Sequence, residues 1–161
     1  MKCKTLIIGC ILVAVCFSGC QKGDTNVKDD KQTNNYEKAD KDTDIDLSKF
    51  DITSEEDNHS GLMFMPTKLK DSSQLRFKKF NGVYTMGKFK LEKGQNLNID
   101  YSCKVESGKL TLFVLDPSNK VMKILSTNTK ETFELKAEVE GEYIIKAVAD
   151  EGYEGEVDID F

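Results

Sequence analysis

Carboxylates are the most abundant reactive groups in this sequence: 28 Asp and Glu stand against one His and five Cys. Glu154, Glu156, Asp158 and Asp160 recur two apart near the end of the chain. On an extended strand, residues two apart share a face at a spacing of about 7 Å. Such a row could bind Ca²⁺, meet a basic partner, or form the solvated, charge-guarded face of a strand. The solvated face is the simplest of the three, and Ca²⁺ is the one cofactor the sequence brings into view. Asp40, Asp42, Asp44 and Asp46 repeat the pattern earlier. The calcium loop of helix–loop–helix proteins needs Gly at its sixth position and Glu at its twelfth. Counted from Asp40, those places hold Ile45 and Asp51, so this row reads as solvated linker.

Other chemistry finds little support. The lone histidine, His59, lies in the polar stretch Glu55-Glu56-Asp57-Asn58-His59-Ser60-Gly61 and reads as a surface-loop residue. No Gly-x-Ser-x-Gly elbow surrounds any serine, so a Ser–His–Asp hydrolase has no frame here. A zinc site needs three or four ligands. Cys103 alternates with Tyr101 and Val105 on an apolar face, where a thiol is inert. A carboxylate-based hydrolase remains the enzymatic alternative, but a chain with no Trp must stack any sugar on Tyr or Phe. No residue is assigned a catalytic role. Basic residues concentrate at Lys68, Lys70, Arg76, Lys78, Lys79, Lys88, Lys90 and Lys93. Of these, Lys78, Lys79, Lys88 and Lys90 are the candidate binding residues, for anionic lipid, wall polymer or the chain's own acids. Gly61-Leu62-Met63-Phe64-Met65-Pro66 suits either an adaptable contact surface or, by preference, a core strand.

The elements that must position these groups have a period of two. Leu97, Ile99, Tyr101, Cys103 and Val105 alternate with polar residues, as do Phe133, Leu135, Ala137 and Val139, and Tyr153, Val157, Ile159 and Phe161. Leu110 to Leu115 and Tyr143 to Ala149 are apolar on both faces and suit central strands. Gln74 to Phe80, Val83 to Leu91 and Val121 to Leu125 complete about eight strands. Asn81-Gly82, Lys93-Gly94, Ser107-Gly108, Asp116-Pro117, Glu140-Gly141 and Glu151-Gly152 mark turns between them. The pattern predicts an all-β, antiparallel, jelly-roll-like sandwich over residues 47–161, with at most a short helix in Ser48 to Asn58. A domain of that length needs no disulfide to bury a core.

The rest of the 161 residues is of another kind. Residues 21–46 carry 13 charges in 26 positions and almost nothing apolar, the composition of a disordered tether. Such a coil spans roughly 30 Å. Lys2 and Lys4 precede twelve mostly apolar residues, Leu6 to Phe17, and then the small Ser18 and Gly19. Basic, apolar, small is the order of an export signal, and the run is short for a bilayer span. Removing residues 1–19 leaves 21 basic against 28 acidic residues, a formal charge of −7. A chain so acidic repels nucleic-acid phosphates.

Ser18-Gly19-Cys20 resembles the lipobox of bacterial lipoproteins, with Phe17 where that family carries Leu, Val or Ile. The resemblance implies cleavage before Cys20 and a diacylglycerol thioether on its thiol. It places the chain on the extracytoplasmic face of a bacterial cell membrane, with lipidated Cys20 and tether over residues 20–46. Cys103 is then left without a disulfide partner. Residues 77–161 carry a second resemblance. Phe89-Lys90-Leu91-Glu92-Lys93-Gly94-Gln95-Asn96-Leu97-Asn98-Ile99, Leu110 to Pro117 and Glu140-Gly141-Glu142-Tyr143-Ile144-Ile145-Lys146-Ala147 resemble the pre-peptidase C-terminal and CUB-like modules of secreted bacterial proteins. That family implies a non-catalytic sandwich, in some members a calcium binder. The expectation is a membrane-tethered, non-enzymatic module for an envelope protein, glycan or wall polymer. The alternatives are the hydrolase and a calcium-stabilised spacer. Oligomeric state is not legible.

Overall fold

The computed structural model describes residues 45–161. The signal, Cys20 and the tether through Asp44 lie outside the described residues. After a 3-10 turn at Leu47–Lys49 come β1 (Asn58–Leu62), β2 (Met65–Lys68), β3 (Ser72–Leu91), β4 (Asn96–Leu115), β5 (Val121–Leu125), β6 (Thr129–Lys136) and β7 (Gly141–Asp160). Every pairing is antiparallel. The chain is all-β, as the alternation predicts.

Three of these strands run for 20 residues each, and here the segment boundaries differ from the expectation. Asn81-Gly82, Ser107-Gly108 and Glu151-Gly152 do not separate strands. They are bends inside β3, β4 and β7. Gly82 has φ +120, Gly108 +77 and Glu151 +53. The register shifts between Phe80 and Gly82 and between Ser107 and Lys109. Left-handed residues and bulges turn a strand sharply without ending it. Lys93-Gly94 and Asp116-Pro117 do fall between strands, and Glu140-Gly141 falls at the start of β7.

The aligned bends divide the sheet into two half-sheets that fold face to face. The first is β2, the start of β3, the end of β7, the start of β4, and β6. The second is the end of β3, the start of β7, the end of β4, and β5. β1 straddles the bend along the free side of β3. Leu75, Phe77, Ile99, Tyr101, Cys103 and Val157 of the first half meet Tyr84, Met86, Leu112, Tyr143, Ile145 and Ala147 of the second in one core. That packing makes the sheet a sandwich.

The outer faces differ. On the second half, Val83, Phe113, Leu115, Ile144 and Val148 are covered by Ile45, Leu47 and Ile52 of an N-terminal strap. This cover is why Leu110 to Leu115 and Tyr143 to Ala149 are apolar on both faces. Ile45, which the composition places in the tether, is 2% exposed. The strap is pinned at its end: Asp57 Oδ1 accepts from the Thr85 N–H and hydroxyl, each at 2.7 Å. Beneath it Lys146, 1% exposed, donates from Nζ to the Ser54 carbonyl. Burial lowers the Lys146 pKa, and Asp57 and Asp51 partly restore it. The helix expected in Ser48 to Asn58 reduces to the single 3-10 turn, capped by Asp46. A strap that must spread three apolar residues over a sheet cannot keep them on one helical stripe.

Candidate functional site

Among the described residues, the outer face of the first half-sheet has no such cover, and its side chains surround a cleft of about 660 Å³. The register sets the rows. Arg76 of β3, Glu156 of β7 and Lys104 of β4 are cross-strand neighbours. Lys78, Glu154 and Glu106 lie two residues farther along the same strands. Between the rows Gly155 stands opposite both Phe77 and Val105. A Cβ on Gly155 would meet Phe77 Cζ at 2.1 Å. Glycine thus lets the Phe77 ring close against the core side of the sheet at this point. Met63 and Met65 form the rim on the β2 side, and Asn128 closes the β6 side. Asn128, at φ +56, accepts the Val105 N–H on Oδ1 at 3.0 Å and fixes that wall.

Opposite charges balance in the cleft. Arg76 Nη2 and Nε lie 2.6 and 2.8 Å from the same oxygen of Glu156. The pair is solvated, so it orients side chains more than it stabilises the fold, at about 0–1 kcal/mol. Lys78, Lys104, Glu106 and Glu154 complete the polar lining. Such a wall can hold a ligand by ion pairs and by apolar contact with methionine, whose flexible thioether adapts to shape.

The acidic row shares one face, as expected, but only Glu154 and Glu156 reach the cleft. Asp158 sits level with Gln74 and Ser102, and Asp160 level with Ser72 and Asp100. Burial, then the neighbouring Glu156, raises the Asp158 pKa. Asp158 lies outside the cleft, while the Glu156 inside it is held by Arg76. Among the described residues, no three His, Cys, Asp or Glu side chains converge as metal ligands.

The basic candidates do not gather either. Lys78 lines the cleft. Lys79 turns to Glu151 at 2.7 Å and lies 5.2 Å from the centre of the Tyr153 ring. Lys88 and Lys90 lie past the bend, on the second half-sheet. Lys88 is paired with Glu142 at 3.2 Å, and Lys90 stands in register with Glu142. Cys103 is fully buried and its thiol pKa is pushed up to about 12 by burial. His59 lies in strand β1 rather than in a loop, and it stacks on Phe64 at 4.3 Å, with Phe80 and Tyr84 edge-on.

Gly61 to Pro66 is not a core strand. Leu62 is 61% exposed and Met63 and Met65 are each 54% exposed, whereas Phe64 alone packs inward. The segment displays its Leu and Met side chains to solvent. Lys104, Glu106 and Asn128 were not legible as site residues. Gly155 carried a signal, because a glycine inside an alternating strand marks a close approach.

No family model matches the chain, and no curated protein matches it. Among solved structures it is similar to a mutant carbohydrate binding module of family 29, at 11% identity and TM-score 0.33, over 65% of this chain and 77% of that one. It is also similar to the module CBM6cm-2 from Cellvibrio mixtus lichenase 5A in complex with cellotriose. There the identity is 12% and the TM-score 0.36, over 65% of this chain and 89% of that one.

Proposed function

We propose that the chain is a membrane-tethered, extracytoplasmic binding module without catalytic activity, and that its ligand, an envelope protein, glycan or wall polymer, seats in the cleft beside β2. One observation carries this reading. Among the described residues, the outer face of one half-sheet is sealed by the strap and the other is open, with a methionine rim and charged walls that include the Arg76–Glu156 pair. A concave site with a few convergent polar groups is the ordinary form of a binding site. The lipobox-like Ser18-Gly19-Cys20 supports the tether. The resemblance of residues 77–161 to accessory modules of secreted proteins points the same way.

The test is site-specific photocrosslinking in intact cells. A photoreactive residue replaces Met65 at the rim or, as control, Met122, which is 40% exposed on β5. A discrete adduct at Met65, absent at Met122 and lost on adding Lys104→Glu, supports the cleft. Equal labelling at both positions, or an adduct indifferent to Lys104→Glu, refutes it. Release of a Cys20→Ala chain from the membrane fraction supports the anchor, and retention refutes it.

A further inference from the structure

The free side of β2 carries a charge opposite to that of the whole chain. From Ser60 to Phe80 the only acid is Asp71, against Lys68, Lys70, Arg76, Lys78 and Lys79, in a chain of net charge −5. Arg76 and Lys79 are neutralised by Glu156 and Glu151. The ion pairs found among the described residues do not include Lys68, Lys70 or Lys78, and all three are exposed. Lys68 Nζ rests 4.8 Å from the centre of the Tyr84 ring.

Interleaved with these lysines are Leu62, Met63, Met65 and Leu69, at 61, 54, 54 and 67% exposure. Phe64 between them packs on Phe80 and Tyr84, at 5.1 and 5.3 Å between ring centres. It anchors the strand, so the apolar side chains are displayed from a fixed backbone.

Three kinds of surface could cover this edge. An anionic polymer would satisfy the lysines and leave the leucines and methionines in water. A partner strand is obstructed, because Pro66 offers no N–H and Met63, at φ +49, interrupts the ladder between Leu62 and Met65. A bilayer rich in anionic lipid meets both demands, with headgroups on the lysines and acyl chains on the apolar side chains. We propose that the edge Leu62 to Lys70 seats on an anionic lipid bilayer, a contact centred on Leu62, Lys68, Leu69 and Lys70 that adjoins the cleft at its rim of Met63 and Met65. It rests on the proposed tether only in that the tether brings the domain to a membrane.

The test is hydrogen exchange on the full-length chain reconstituted in nanodiscs. One set holds equal parts phosphatidylglycerol and phosphatidylcholine, the other phosphatidylcholine alone. Each lysine at an anionic surface shifts the docking equilibrium roughly fivefold. Amides of residues 58–72 are therefore expected to exchange at least about fivefold more slowly on anionic discs, with β5 unchanged. Leu62→Asp with Leu69→Asp, or Lys68→Glu with Lys70→Glu, abolishes the difference. All four side chains are exposed and none lines the cleft, and circular dichroism confirms that each variant keeps the fold. Equal exchange on the two discs overturns the proposal. Equal protection by soluble dextran sulfate also overturns it, in favour of a polymer site. A chain that joins neither disc refutes the anchor instead, and the edge is then tested with free phosphatidylglycerol vesicles added to the same chain.

Discussion

Gly94 and Gly108 differ in one respect that a single substitution can measure. Both are left-handed, at φ +86 and +77. Gly94 closes the β3–β4 turn, and a Cβ there meets nothing within 4 Å. Gly108 lies at the bend of β4, where a Cβ would fall 1.8 Å from the Glu151 carbonyl oxygen. Gly94→Ala therefore has only the left-handed conformation against it, about 1–2 kcal/mol, offset by up to about 1 kcal/mol of unfolded-state entropy. Gly108→Ala has the same strain and also forces the β7 backbone away at its own bend, adding about 1–3 kcal/mol. The expected loss is roughly 2–4 kcal/mol at Gly108 and about 1 at Gly94. For a domain of roughly 120 residues each kcal/mol lowers Tm by about 4 °C, so Gly108→Ala should melt some 8–16 °C below the wild type. With no Trp in the chain, far-UV circular dichroism in urea is the suitable probe, and m should stay constant. Losses equal within about 0.5 kcal/mol would refute the idea that close approach at the bends shapes this fold.

Two other outcomes follow from buried groups. The folded-state pKa of Lys146 is lowered, so the unfolded chain holds its proton more tightly, and the Lys146 contribution to stability rises with pH towards 10.5. Relative to wild type, Lys146→Met should therefore compare best near pH 7 and lose ground at pH 10, measured by urea unfolding at both; a pH-independent difference contradicts the burial of the amine. With its pKa pushed up to about 12, Cys103 should react with maleimide at pH 8 only as the domain opens. Site-resolved mass spectrometry that found it labelled at the rate of an unfolded peptide would contradict that.

The strands were legible because their alternation is local. Ile99, Tyr101 and Cys103 are buried where the period of two puts them. The bends were not, because Asn-Gly, Ser-Gly and Glu-Gly serve a hairpin and a sharp fold in one strand equally well. Only pairing across more than 40 residues decides between them. Tyr153 shows the cost of the confusion: alternation sends it to the core, but next to the bend it is 40% exposed. The strap was hidden for a related reason. Ile45, Leu47 and Ile52 are sparse among charges, and what makes them core is an apolar face supplied by β3, β4 and β7. Half of the cleft was visible as the methionine segment, Lys78, Glu154 and Glu156. The other half comes from strands brought alongside by topology.

That topology also sets the order in which the domain can form. β3 and β4 never pair with each other; β7 lies between them along both half-sheets. Its contacts with β3 are distant in sequence, from Leu91 with Gly141 to Ser72 with Asp160. Pairings this remote form late and slowly. A nascent chain that has delivered everything up to Glu140 holds two twenty-residue strands with no centre to join them. The sandwich can close only when β7 arrives.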